Sequence, residues 1–474
     1  MFRRVVLFLP LPFLYAVDAR AQCEETTIDP ASPTIVCDGV NIGPIEDDRD
    51  GLAIFIEENA ELTADTQVDL VVVDGDDVQI TNAGSVGDRD PSSMLIDDAF
   101  RVGGDGFRFV NTQTGVISHV SSAFLSFETV GGSVLNEGLI STVGTSLIVD
   151  GENHVVTNET TGVIISERGT AVSFVSQPNS NSATLINRGH IEALDERAVT
   201  GASFFTLMNE GTIRSDTGSS TGEGVGFGEG SVTNSGEIFA SGTAISLTRG
   251  EIRNSGLIES DRDSAIFVFA PSSPEPGDNL DTFVINNGDI IANETAITVQ
   301  GGFREPNLTQ QHVQHIGGLI SGGIAAVALE AGDDSFAIGN GAALIGDVLL
   351  EDGDDALLIW AGTGNLDASI FEGGAGEDTI TFNNGVGLGG FLSMLIADDI
   401  FKISFRNGDE DGAIKVRGFE FVNVAGQAFS FDAFVLQTSE VPLPAGMFLF
   451  LTGAVVLVRR RRAQPRLLTM AAAP

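Results

Sequence analysis

One short phrase recurs along this chain, and its recurrence constrains the fold more than any other feature. The phrase is Asn-x-Gly-x-Ile with tolerated variants. It stands as NIGPI from Asn41, NAGSV from Asn82, NEGLI from Asn136, NRGHI from Asn187, NEGTI from Asn209, NSGEI from Asn234, NSGLI from Asn254 and NNGDI from Asn286. Stretched copies begin at Asn111 and Asn158, and a degraded one, IGGLI, begins at Ile316. Most intervals fall at roughly 20–32 residues, the range of a stacked supersecondary unit.

Each unit holds three short apolar pieces. One follows the Gly, as in GEI at Gly236. A second reads TAISL from Thr243, TAVSF from Thr170 or TAITV from Thr295. A third runs into the next Asn, as in FRFVN and TFVIN. Alternating apolar residues bounded by Gly, Asn and Asp are strand signals. Three strands and three turns in about 22 residues make one coil of a parallel β-helix. The expectation is an all-β, right-handed parallel β-helix of about 14 coils and ~65–70 Å, from the 4.8 Å strand spacing. Gly and Asn are expected at corners, where they tolerate positive φ. Asn82, Asn136, Asn187, Asn209, Asn234 and Asn254 are expected to stack into a hydrogen-bonded ladder, as structural residues and not as ligands.

The ends set the compartment. Residues 1–21 carry Arg3 and Arg4, an apolar run, and Ala19-Arg20-Ala21, which reads as a secretory signal cleaved after Ala21. Gln22 before Cys23 does not fit a lipoprotein site. Cys23 and Cys37 are the only cysteines, and an exported chain favours a disulfide between them. Such a bond stabilises by about 3 kcal/mol in the loop-entropy account and would staple an N-terminal cap over 22–40. Formal net charge is −42. Removing the signal and the C-terminal tail takes away more Arg than acid, so the body is more acidic still. That surface repels nucleic acid and anionic membranes; it suits high salt, divalent cations or cationic partners.

The repeats are assigned to 41–385. Within them the coils after residue 330 turn acidic: EAGDDSFAI, EDGDDALLI and GGAGEDTIT, with an earlier cousin, DGDDVQI, at Asp74. The third fits the calcium-binding nonapeptide pattern with Gly373, Gly374, Gly376, Asp378 and Ile380. Stacking would put Asp334, Asp355 and Asp378 in one column, where like charges ~5 Å apart repel by about 1 kcal/mol per pair even in water. Bound Ca2+ would remove that cost, with Asp333, Asp334, Asp354, Asp355, Gly374, Gly376 and Asp378 as the candidate set. The competing reading makes Gly-Asp-Asp a tight turn of the shaft.

Catalytic signals are sparse. Acids abound, so an Asp pair carries little specificity, and Lys402 and Lys415 are the only lysines. The longest departures from the repeat, 271–281 and 301–312, are expected as loops that could wall a ligand groove on one face. His312 and His315 lack neighbouring ligand types. No phosphate-binding loop, nucleophile elbow or CxxC is present in the sequence. Residues 386–440 lose the repeat and become Phe-rich, as in FKISF and AFSFDAF, and are expected to cap the open coil with a few antiparallel strands.

The tail is the most specific feature. Val441, Pro442, Leu443, Pro444 and Ala445 precede an apolar run to Val458 and then Arg459, Arg460, Arg461 and Arg462. This arrangement over 441–462 resembles the PEP-CTERM class of bacterial sorting signals in its VPLPA variant. The resemblance implies an exosortase-like sorting protease as partner, a short membrane segment over 445–458, and delivery to the cell surface or matrix. Residues 463–474 extend past the usual end of such tails. The repeats are similar to autotransporter adhesin passenger shafts, but no run of β-barrel strands follows. The sequence therefore leads to an exported, acidic surface or matrix rod that meets a surface polymer, a glycan or a neighbouring cell. A calcium-dependent matrix protein and a polysaccharide-degrading β-helix enzyme stand as alternatives.

Overall fold

The computed structural model describes residues 23–26, 33–64, 68–88, 96–175, 182–201, 203–216, 222–269, 281–300, 310–383, 385–397, 399–407 and 410–439. The signal segment, most of both long insertions, and the whole tail with Val441–Ala445 and Arg459–Arg462 lie outside them. Among the described residues, no helix is long and apolar enough to cross a membrane.

Short strands stack in parallel into three ladders, and the chain visits each ladder once per coil. The molecule is a parallel β-helix. The ladder that ends each strand on the repeat Asn is the longest. It runs without interruption through fifteen parallel pairings, from Thr34–Cys37 to Phe421–Val424. At the usual strand spacing this gives a shaft of about 70 Å. Along each strand, side chains alternate between a closed core and solvent. Core columns such as Ile54, Ile80, Phe109 and Val134 are at most 2% exposed.

Both ends depart from the expected boundaries. Thr34–Cys37 is already the first rung, so stacking begins before residue 41. Glu24–Glu25 pairs antiparallel on its outer edge, and Cys23 is disulfide-bonded to Cys37. At the other end the Phe-rich segment does more than cap. Glu410–Arg417 and Phe421–Val424 rejoin the ladders in parallel, and only then do antiparallel strands close them. The aromatic content explains this: Phe382, Phe391 and Phe405 pack with ring centroids 4.7–6.1 Å apart, and the Phe434 ring lies 5.7 Å from Phe391. The rings fill the volume that another coil would have filled.

The Asn column forms and is longer than the six residues expected. Asn82 donates from Nδ2 to Asn111 Oδ1 at 2.8 Å, and the pattern continues through Asn136, Asn158, Asn187, Asn209, Asn234, Asn254 and Asn286 at 2.7–2.9 Å. Asn286 then meets His315 Nδ1 at 3.2 Å, and His315 Nε2 lies 2.9 Å from the Ala343 carbonyl. Most of these amides also reach the carbonyl of a nearby Gly, as Asn209 does with Gly211 at 3.2 Å. Asn is suited because one short side chain both donates and accepts. NIGPI at Asn41 is out of step: Asn41 pairs with Leu62 in the second ladder, while Cys37 and Ile56 precede Asn82 in the column.

The phrase's Gly has a different cause from the one expected. Gly236 and Gly256 do not have positive φ, and neither do the ladder asparagines. A Cβ on Gly236 would lie 2.1 Å from the Gly211 carbonyl oxygen, and one on Gly256 would lie 2.1 Å from that of Gly236. The coils touch at this corner, backbone to backbone, so only Gly fits.

Asn209→Ala would leave one N–H of the Asn187 amide and the Asn234 Oδ1 acceptor without their partners in a dry column, the other Asn187 N–H staying on the Thr212 carbonyl. It should cost on the order of 2–4 kcal/mol and speed amide exchange in the flanking coils. The outward Thr233→Ala should change stability by less than about 0.5 kcal/mol. Equal urea midpoints for the two variants would show that the column contributes nothing.

Candidate functional site

Three acidic residues are stacked inside the shaft. Asp334, Asp355 and Asp378 each immediately precede a strand of the long ladder and are 2%, 1% and 0% exposed. Each carboxylate accepts a backbone N–H from the preceding coil through Oδ1. Gln311 donates to Asp334 at 2.7 Å, Asp334 to Asp355 at 2.7 Å, and Asp355 to Asp378 at 2.9 Å. The Asp378 N–H goes in turn to Glu420 at 3.1 Å.

The same inward column can be followed upstream through the strand register. It holds Thr282 opposite Gln311, and before them Gly250, Gly230, Phe205, Ala183 and His154. His154 does with a ring nitrogen what the aspartates do with oxygen: the Gly132 N–H donates to its Nδ1 at 3.0 Å. From Thr282 onward the column turns fully polar. Thr282 Oγ1, both polar atoms of the Gln311 amide, and the Oδ2 atoms of Asp334, Asp355 and Asp378 are buried without a hydrogen-bond partner.

That arrangement opposes ionisation. Burial pushes the carboxyl of Asp334 up to about 8, with the Gln311 N–H acting the other way and the Asp355 and Asp333 charges adding to the rise. Burial likewise pushes Asp355 and Asp378 up to about 7. Three stacked carboxyls near neutrality can each hold a proton, or share their free oxygens with a cation.

The residue set expected for calcium does not converge. Asp333 and Asp354 are exposed and form a second column on the outside, in which Asp354 N–H donates to Asp333 at 3.0 Å and Glu377 N–H to Asp354 at 2.8 Å. The two columns lie on opposite sides of the backbone. Among the described residues, no group of three or more His, Cys, Asp or Glu is arranged to hold a metal ion. The Gly pattern has a steric cause instead. Gly374 has φ +106°, and a Cβ there would fall 1.6 Å from the Glu351 carbonyl oxygen; one on Gly376 would fall 1.6 Å from that of Gly353. The earlier cousin is out of step, since Val78, not an Asp, occupies the inward position before Gln79.

His312 and His315 are separated as well. His315 ends the Asn column in the core, whereas His312 is partly exposed, lies 2.8 Å from Ser335 Oγ and stacks on Phe283 at 4.8 Å. Of the insertions expected at 271–281 and 301–312, residues 271–280 and 301–309 lie outside the described residues, and Gln311 and His312 belong to a strand of the long ladder. A cavity of about 380 Å³ sits at the N-terminal mouth, lined by Ile35, Asn41, Ile45, Arg49 and Leu62 among others. Sequence reasoning missed Thr282, Gln311 and Glu420 as column members. The signal was register: each stands at the position that Asp334 takes in its own coil.

Comparison with known protein families, curated proteins and solved structures finds no match to this chain.

The sign of the pH dependence follows from the raised values. Between about pH 4 and pH 7–8 the folded column keeps protons that the unfolded chain has released, so this column's contribution to stability falls as pH rises through that window. The Asp334→Asn, Asp355→Asn, Asp378→Asn triple variant keeps the Oδ1 acceptors and cannot ionise. Urea midpoints measured in chelator from pH 5 to 8.5 should fall more steeply for the native chain. Parallel curves would mean that the three carboxyls titrate as ordinary surface groups.

Proposed function

We propose that this protein is an exported bacterial rod of the cell surface or extracellular matrix, structural or adhesive in role. The observation that carries the reading is the unbroken ladder with its internal Asn column, which makes a long, stiff body. Its outer face is also suited to contact. Outward positions of the long ladder include Thr81, Thr157, Thr184, Thr206 and Thr233, and among the described residues of its pairings from Ala53 to Asn423 the outward acids are Glu229, which stands opposite Arg249, and Glu251. In a chain of charge −42, the acids stand mostly at corners and leave a neutral stripe for a polymer, a glycan or a neighbouring molecule.

The export part of the proposal rests on sequence: the signal over 1–21, the cysteine pair, and the tail with its similarity to PEP-CTERM signals. The Cys23–Cys37 bond fits an oxidising compartment. An exosortase-like protease is the proposed partner at Val441–Ala445. Full-length protein made in a bacterium should appear outside the cytoplasm with Gln22 as its first residue. A cytoplasmic product that keeps Met1 would sink the export reading.

A second reading is favoured by the three unpaired Oδ2 atoms: a matrix protein whose acidic coils respond to cations or protons. At pH 8 the native column is short of positive charge, and millimolar calcium should raise its melting temperature. The triple Asn variant should melt higher than the native chain in chelator and show no calcium response. The same rise in both proteins would assign calcium to the acidic surface at large.

A further inference from the structure

The C-terminal end of the rod is unlike its flanks. The third ladder finishes as Glu410–Arg417, Ile400–Asn407 and Phe391–Ala397, each antiparallel to the one before. Phe391–Ala397 is therefore the last rung. Past Ser393, which bridges Ser439, no described strand pairs with its outer edge. Met394, Leu395 and Ile396 are 56%, 53% and 40% exposed. Three consecutive apolar residues are bare on both faces of an open edge, a liability that soluble proteins usually block with charge or cover. The adjoining helix, Phe431–Thr438, turns Phe434 into the core and leaves Leu436 46% exposed. The chain's two lysines stand in a row with this patch: Met394 lies opposite Lys402, and Lys402 opposite Lys415.

The chain leaves the rod at this same end. Ser393 Oγ is 2.6 Å from Thr438 Oγ1, which fixes the end of the helix against the last rung. From Ser439 the sequence needs only Glu440 to Pro444 to reach Ala445, where the apolar run begins. Fully extended, that stretch spans about 20 Å. A tether this short cannot hold the end of the rod far from whatever receives residues 445–458.

We propose that this end is a foot that rests on the lipid bilayer, with Met394, Leu395, Ile396 and Leu436 inserted among the headgroups and acyl-chain boundary. The inference rests on the reading that residues 445–458 enter the membrane. Lys402 Nζ is paired with Asp367 Oδ2 at 2.7 Å, so of the two lysines Lys415 is the one whose stem can carry its ammonium group to the phosphate level. Asp399 and Asp432 lie at the same end, so apolar insertion rather than attraction to anionic lipid is the driving term. The rod would then stand off the surface from a fixed base.

The test uses the full chain with one added cysteine carrying an environment-sensitive fluorophore, at Leu395→Cys, Leu436→Cys or, near the far end, Phe55→Cys, mixed with phosphatidylcholine vesicles. The protein is expected to float with the vesicles. Labels at 395 and 436 are expected to shift to the blue and to lose intensity to a lipid-borne quencher, while the label at 55 does neither. Adding Met394→Glu and Ile396→Glu should abolish the shift at 436 and leave flotation intact. Flotation with a water-like label at 395 would overturn the foot and keep the anchor. Failure to float would overturn both. A blue shift at 395 without vesicles, accompanied by a dimer in sedimentation, would assign the edge to a second copy of this chain and overturn the foot.

Discussion

The fold depends on one constraint: a closed coil must turn corners with its backbone, and every polar group carried inward by a corner must find a partner in the neighbouring coil. The Asn column meets that constraint over its whole length. A buried amide left alone costs on the order of 1–3 kcal/mol, but in register each amide satisfies the next at 2.7–2.9 Å. The column cannot form in one coil. It therefore couples neighbouring units and penalises any slip of register, because a shift by one residue would turn Asn and the apolar core residues out to solvent and bring the outward residues, such as Thr206 and Met208, into the core. Intervals between successive members vary from 20 to 32 residues, and loops absorb all of that variation.

The acidic coils use the same geometry with a different outcome. Asp accepts as Asn does, but it has no donor for the next residue. The backbone N–H of the preceding coil supplies the donor, and each second carboxylate oxygen is left unpaired. A column that is self-satisfying in Asn becomes, in Asp, one whose charge depends on what surrounds it. The three stacked carboxyls raised by burial thus lie toward the end of the shaft that leads to the tail.

How much of this was legible differs from feature to feature. Strand periodicity and the recurring phrase announce the coil, and stacking of Asn136, Asn187 and Asn209 follows from repetition alone. Asn111 and Asn158 stand in stretched copies, where an inserted Thr or Gln hides the register. His315 replaces Asn by a chemically unrelated ring and could be found only by counting rungs. The Asp-rich turns look like a calcium motif because Gly and Asp alternate there. In the folded chain the glycines answer to backbone contact between coils, and adjacent acids point to opposite sides.

The sequence by itself determined the fold class, the stacking of the Asn residues and the pairing of the two cysteines, because each depends on local periodicity or on a count. Only the tertiary structure decided which of two adjacent aspartates is buried, where the Phe-rich segment rejoins the ladders, and that among the described residues no strand covers the outer edge of the last rung beside the exposed Met394, Leu395 and Ile396. Those outcomes depend on register between residues tens of positions apart. Inter-coil hydrogen bonds and close backbone contacts set that register, and no short window of the chain contains it.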